Sequence, residues 1–108
     1  MAYVAATKTG DVAPGKMKAV EAGGKKLLLA NVDGAFYAMQ KNCPHLGFNL
    51  CRGKLNGTVV TCALHGAGFD LKDGSAVNPA NLIIFKKLTK NAVTYPVKVE
   101  GDQVMIDV

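Results

Sequence analysis

Two short segments, each with one cysteine and one histidine, constrain this chain more than any other feature of its sequence. The first runs Cys-x-His from Cys43 to His45, and the second runs Cys-x-x-His from Cys62 to His65, with sixteen residues between His45 and Cys62. The chain has two histidines and three cysteines, so these segments use both imidazoles and two of the thiols. Two sulfur and two nitrogen donors, paired within each segment, can hold a metal centre.

Other chemistries use the same residue types, and they stay open at this point. A structural zinc site takes two Cys and two His, but usually as a Cys pair followed by a His pair, whereas each segment here mixes the two. A disulfide between Cys43 and Cys62 would leave both histidines without a role, and nothing in the sequence indicates an oxidising compartment. A cysteine–histidine nucleophile pair is a further reading, although it would not need a second pair.

The residues around the two segments resemble a known family. A proline inside the first segment, a glycine near each histidine and the continuation His-Gly-Ala-Gly-Phe-Asp at 65–70 are similar to the Rieske [2Fe–2S] signature. In such centres two histidines replace two cysteines on one iron. The resemblance therefore implies a [2Fe–2S] cluster in which Cys43 and Cys62 bind one iron while His45 and His65 bind the other.

The same resemblance implies a fold. It covers nearly the full chain, so we expect an all-β, Rieske-like fold of small stacked antiparallel sheets with the cluster at one tip. Residues 1–108 would form a single Rieske [2Fe–2S] domain, with the cluster-binding subdomain at about 41–80. The sequence Asn-Pro-Ala at 78–80 is similar to the proline loop that covers the cluster in this family, with an ordinary turn as the alternative. Residues 81–93 depart from compact members of the family, and their pattern fits either an extra strand or a helical turn.

Local patterns predict a series of short strands. Glycine-containing pairs at 23–24, 33–34, 56–57, 73–74 and 101–102 predict tight turns. The Asn-Gly pair at 56–57 is the strongest of these signals, and a hairpin there would set the two Cys/His segments side by side. A three-stranded antiparallel meander is expected before the first cysteine. The predicted strands are 3–6, 16–21, 26–32, 36–39, 54–55, 58–61, 69–71, 95–100 and 104–108.

Composition and charge limit the partners. The net charge is +5, which suggests acidic partners, with a merely lysine-rich solvated surface as the alternative. Aromatic residues are not interleaved with the basic ones, so nucleic acid is not an expected partner. The longest apolar runs fall well below the roughly 20 residues of a membrane span, and the first residues do not resemble a signal peptide. We expect a cytoplasmic monomer without membrane contact.

The resemblance implies a function for the chain. It is similar to the ferredoxin component of ring-hydroxylating oxygenase systems, a soluble one-electron carrier that passes electrons from a reductase to a terminal oxygenase or a similar acceptor. Both partners would be redox proteins, with acidic docking surfaces expected. No histidine remains for a mononuclear iron site, so we do not expect an enzyme. The alternatives are a small electron-transfer subunit of a larger oxidoreductase, such as an oxygenase or nitrite-reductase-like assembly, and a redox-sensing or zinc-binding module.

Residues beside the expected ligands predict a low potential. High-potential relatives carry a second cysteine pair and place Ser and Tyr hydroxyls as donors to the cluster sulfurs. Thiols and hydroxyls are absent from the matching positions, which are Phe48, Leu64, Ala67 and Phe69. Because hydrogen bonds to sulfur favour the reduced cluster, their loss implies the low end of the Rieske range, at about −150 mV. Cys51 is left over, and we expect a free thiol without a role in the cluster, with redox sensing as the alternative.

Overall fold

Antiparallel strands dominate the structure, a computed structural model that describes residues 2–42, 49–61, 68–78 and 91–108. Two 3₁₀ turns, Thr9–Asp11 and Leu50–Arg52, are the only helical segments within these ranges, so the all-β prediction is confirmed. Neither turn has the length and apolarity to cross a membrane. The described strands are β1 (Tyr3–Lys8), β2 (Met17–Ala22), β3 (Lys25–Val32), β4 (Ala35–Gln40), β5 (Lys54–Asn56), β6 (Val59–Thr61), β7 (Gly68–Asp70), β8 (Ala76–Asn78), β9 (Thr94–Tyr95), β10 (Val97–Glu100) and β11 (Gln103–Asp107).

The strands form three small antiparallel sheets. The first has the order β1-β11-β10, the second β2-β3-β4-β9 and the third β5-β6-β7-β8. The predicted three-stranded meander is confirmed as β2-β3-β4. The second sheet lies between the other two, because one of its faces shares a core with the third sheet and the other shares a core with the first.

Strand β3 shows how the sequence encodes this middle position. All four residues of the apolar run 27–30 are buried. Leu28 lies in the same core as Phe69 of the third sheet, whereas Leu27 lies in the same core as Ile106 of the first. Because successive side chains of a strand point to opposite faces, an unbroken apolar run is what a sheet covered on both sides requires.

Two of the predicted turns have the expected geometry. Gly23 and Gly24 connect β2 to β3 with φ values of 59° and 79°. Asp33 and Gly34 connect β3 to β4 with φ values of 52° and 92°. Positive φ at both central residues is typical of the type I′ hairpin turn, whose twist matches that of the flanking strands. These two turns fix the register of the middle sheet.

The hairpin between β5 and β6 is shifted by one residue from the prediction. Asn56 pairs with Val59, so Gly57 rather than Asn56 is the first central residue of the turn, with a φ of 60°. Glycine at that position is typical of a type II′ turn. The observed register sets Leu55 opposite Val60, and both side chains pack in the core between the second and third sheets. Core packing therefore overrides the Asn-Gly turn signal.

Pro96 divides the predicted strand 95–100 between two sheets, so the prediction of one continuous strand was wrong. Tyr95 pairs with Ala38 in the second sheet, whereas Val97 pairs with Ile106 in the first. Proline has no N–H group, so it cannot donate to a ladder, and the chain changes sheets at this residue. The short segment around Pro96 thereby ties the first and second sheets together.

The ambiguous segment 81–93 lies mostly outside the described residues, which omit 79–90. Its last three residues, 91–93, are described and form no strand. Ala92 is buried, and its N–H donates to the Gly74 carbonyl at 2.7 Å. Gly74 has a φ of 77° and lies within the predicted turn at 73–74. The chain that returns from 79–90 is therefore held against the turn between β7 and β8.

Candidate metal centre

The four expected ligands, Cys43, His45, Cys62 and His65, lie outside the described residues, in the segments 43–48 and 62–67. The described chain ends at Asn42 before the first segment and resumes at the residue after it. In the described ranges, His, Cys, Asp and Glu residues do not come together in any group that could hold a metal. The structure describes in detail the residues that flank both segments.

The first segment is closed by its own flanks. Asn42 and Asn49 form an isolated antiparallel bridge, and the Leu50 N–H donates to the Lys41 carbonyl at 2.7 Å. The Asn49 side chain accepts a hydrogen bond from the Cys51 N–H at 2.9 Å, which caps the 3₁₀ turn that follows. The residues that flank the six-residue segment 43–48 are thus fixed next to each other.

The second segment is closed in the same way by a pair of strands. Thr61 at the end of β6 pairs with Gly68 at the start of β7. The residues on either side of the six-residue segment 62–67 are therefore also fixed next to each other, in neighbouring antiparallel strands. Loops carried on a rigid sheet are where binding residues are concentrated, because the sheet fixes their ends.

The second Cys/His segment and the predicted proline loop follow strands that end on one side of the third sheet, and β5, which comes after the first segment, begins on the same side. Cross-strand pairing joins Lys54 to Thr61, Thr61 to Gly68 and Gly68 to Asn78. These four residues form one row across the sheet, at the end where β6 leads into 62–67 and β8 leads into Pro79. The prediction that a hairpin brings the two Cys/His segments side by side is consistent with this row.

Gly53 brings the bases of the two loops into direct contact. It ends the 3₁₀ turn that follows the first loop, and its N–H donates to the Leu50 carbonyl at 3.0 Å. A Cβ atom built on Gly53 would overlap the carbonyl oxygen of Thr61, the last residue before the second loop. Only glycine allows the two backbones to approach this closely.

The surface around the loop bases is positive. Three basic residues form a group that we call the basic collar. Lys41 precedes the first segment, Arg52 follows it, and Lys54 belongs to the row of paired residues at the end of the third sheet. Among the described residues the only ion pair joins Lys98 to Glu100, so the charges of the collar are not neutralised by carboxylates. The sequence contains no Asp or Glu between Asp33 and Asp70.

Cys51 lies next to the first loop but packs away from solvent. Its side chain is partly buried against the core between the second and third sheets. Burial raises the pKa of the Cys51 thiol, and the nearby Lys41 ammonium opposes this with a smaller effect. A thiol with a raised pKa is a poor nucleophile at neutral pH, which favours a free thiol without a role in the cluster over the redox-sensing alternative.

The donor set fits a [2Fe–2S] cluster of the Rieske type. Such a centre needs two thiolates for one iron and two imidazoles for the other. Each six-residue segment contains one residue of each kind, and the residues that flank the two segments approach each other closely at Gly53. The expected sulfur-neighbouring residues Phe48, Leu64 and Ala67 lie outside the described residues, whereas Phe69 is fully buried in β7.

Sequence reasoning missed two residues that support these loops. Gly53 carries no strong local motif, although an isolated glycine beside a strand is a known sign of close backbone approach. Gln40 was not singled out, yet its side chain bonds to the residue before the first loop. Nothing in the local pattern distinguishes Gln40 from any other polar residue at a strand end.

Comparisons with known proteins match the chain to one family. The family model described as the Rieske [2Fe–2S] domain matches residues 2–96. The ferredoxin component of biphenyl 2,3-dioxygenase from Rhodococcus jostii (strain RHA1) is 36% identical over 107 residues, covering 99% of this chain and 94% of that protein.

The chain is also similar to solved structures of ferredoxins. The ferredoxin of Sphingomonas yanoikuyae B1 superposes with a TM-score of 0.84 at 28% identity, covering 99% of both chains. A chain in the complex of reduced oxygenase and oxidized ferredoxin of carbazole 1,9a-dioxygenase superposes with a TM-score of 0.82 at 25% identity, covering 96% of this chain and 91% of that one.

Proposed function

The chain belongs to the Rieske [2Fe–2S] domain family, and we propose that it is a one-electron carrier that passes electrons from a reductase to a terminal oxygenase. The observation that carries this proposal is the close approach of Gly53 to Thr61, because these two residues lie beside two segments that each contain one cysteine and one histidine. Cys43 and Cys62 would hold one iron, and His45 and His65 would hold the other. When bound, the cluster takes up and releases a single electron.

The comparisons support the oxygenase as acceptor. The relative from Rhodococcus jostii is named as the ferredoxin component of a dioxygenase, and a solved complex pairs an oxygenase with a ferredoxin of this fold. We propose that this chain works in the same way and has no substrate chemistry of its own. The test is to reduce the protein with a flavoprotein reductase and then mix it with a terminal oxygenase component. Stopped-flow absorbance measures whether the electron is transferred to the oxygenase. Failure of the reduced protein to transfer its electron would exclude it.

Three further proposals complete the description. Residues 1–108 form a single Rieske domain, with about 41–80 as the cluster-binding subdomain, which the row at the end of the third sheet supports. The chain works in the cytoplasm, where thiols such as that of Cys51 stay reduced. Its partners are redox proteins rather than nucleic acid or membranes. It is a monomer, and sedimentation at increasing protein concentration tests this oligomeric state.

The basic collar is proposed to steer acidic partners toward the loops. We expect Lys54→Glu to slow association with the acceptor about threefold to tenfold at low ionic strength, and the difference to shrink as salt is added. Lys16→Glu is the matched control, because Lys16 is exposed and precedes β2 at the end of the second sheet opposite Gln40. Equal effects of the two variants on the association rate would contradict steering by the collar.

The low potential is proposed to depend partly on Phe69. Phe69→Tyr should raise the midpoint potential by tens of millivolts, because high-potential relatives place a tyrosine hydroxyl here as a donor to sulfur. Phe69 is fully buried, so the new hydroxyl would be shielded from water and would need such a partner. Phe36→Tyr, in the core between the first and second sheets, is the control. Redox titration showing the same potential for both variants and the parent protein would refute this role.

A further inference from the structure

Gln40, the last residue of β4, bonds to two separate parts of the chain through one side chain. Its Nε2 donates to the Asn42 carbonyl at 2.6 Å, and its Oε1 accepts from the Val93 N–H at 2.8 Å. The Gln40 backbone N–H also donates to the Val93 carbonyl at 2.8 Å. Both backbone polar groups of Val93 are therefore satisfied by Gln40 alone.

The two parts that Gln40 joins have different places in the chain. Asn42 is the residue immediately before the first ligand loop, and it forms the bridge that closes that loop. Val93 belongs to the segment 91–93, which follows the proline loop and the residues up to 90. That segment is also fixed from its other side, where the Ala92 N–H donates to the Gly74 carbonyl at 2.7 Å. Gln40 thus connects the residue before the first Cys/His segment to residues 91–93.

We propose that Gln40 is a positioning residue for the cluster, because it fixes Asn42, the residue before the first Cys/His segment, to residues 91–93. This inference rests on the proposed function, because it concerns the loop that would carry Cys43 and His45. A primary amide suits the task, since it offers a donor and an acceptor at once. Asn42 immediately precedes Cys43, the expected ligand. Loss of the bond to the Asn42 carbonyl would therefore let the backbone next to Cys43 move.

Two substitutions distinguish the Gln40 side-chain bond to Asn42 from its bond to Val93. Gln40→Glu keeps the acceptor for the Val93 N–H but removes the donor to the Asn42 carbonyl, because a carboxylate only accepts. Gln40→Met keeps the length of the side chain and removes both bonds. Gln103→Glu and Gln103→Met are the matched controls, because Gln103 is exposed on β11 of the first sheet.

The measurement is the rate of cluster loss from the holoprotein in excess chelator, together with the electron paramagnetic resonance spectrum of the reduced protein. We expect Gln40→Glu to lose the cluster about tenfold faster than Gln103→Glu and to show shifted g values, because a bond at the loop entrance is lost. Hydrogen exchange should remain slow at the Val93 amide in Gln40→Glu and become fast in Gln40→Met.

Two results would overturn the inference. One is cluster loss and g values in both Gln40 variants that match those of the Gln103 controls. The other is cluster loss that merely follows a lowered melting temperature, with unchanged g values, which would indicate a structural role alone. Failure of the proposed function is distinguishable, because the parent protein would then show no Rieske-type spectrum at all.

Discussion

Gly53→Ala is expected to destabilise the protein and to release the cluster, because the added Cβ would overlap the Thr61 carbonyl oxygen. The obstacle is backbone rather than a flexible side chain, so the β5–β6 pairing must shift to make room. Overpacking of this kind costs about 3 kcal/mol. For a domain of this size each kcal/mol lowers the melting temperature by roughly 4–8 °C. The conformation of Gly53 itself, with φ −80° and ψ −160°, is open to any residue, so the effect is steric.

Thermal unfolding and iron content of the purified variant check this prediction. Gly10→Ala is the matched control, because nothing lies within 4 Å of a Cβ built at Gly10. It should leave both quantities near those of the parent protein. A Gly53→Ala variant that melts with the control and keeps its full iron content would show that the two loop bases need not touch.

Cys62→Ser is expected to abolish cluster binding, whereas Cys51→Ser should leave it intact. A serine hydroxyl is a far poorer iron ligand than a thiolate, so the loss of Cys62 removes one of two sulfur donors to the same iron. Cys51 is partly buried against a core, and burial raises the pKa of its thiol. Visible absorbance and iron content should fall to near zero in Cys62→Ser and stay near two irons per chain in Cys51→Ser.

The same pair of variants tests the alternatives. A zinc site would bind zinc in place of iron in the parent protein and give no visible absorbance. Loss of the cluster in Cys51→Ser would make Cys51 a ligand and overturn the assignment. Retention of a full cluster in Cys62→Ser would do the same for Cys62.

Much of this fold follows from local sequence signals. The run 27–30 is apolar on both sides of its strand, which lies in a sheet covered on both faces. The turns at 23–24 and 33–34 consist of residues that accept positive φ. The pairing of one cysteine with one histidine in each segment predicts the donor set from the sequence. These features are local, so they can be read from neighbouring residues.

What the sequence does not reveal depends on contacts between distant residues. The shift of the turn to Gly57 follows from packing of Leu55 opposite Val60, and the division at Pro96 follows from which sheet each neighbour can join. The bond from Gln40 to Val93 spans a sequence separation of 53 residues. No local pattern encodes such a partner, because several polar residues could occupy the same strand end.

The most direct test of the ligand assignment uses the histidine content. The chain has two histidines, so growth with ¹⁵N-histidine labels only His45 and His65. Pulsed electron paramagnetic resonance of the reduced protein should then show hyperfine couplings from two iron-bound nitrogens. These couplings should have the ¹⁴N pattern in unlabelled protein and the ¹⁵N pattern in labelled protein. An unchanged spectrum in fully labelled protein would contradict histidine ligation and with it the Rieske-type centre.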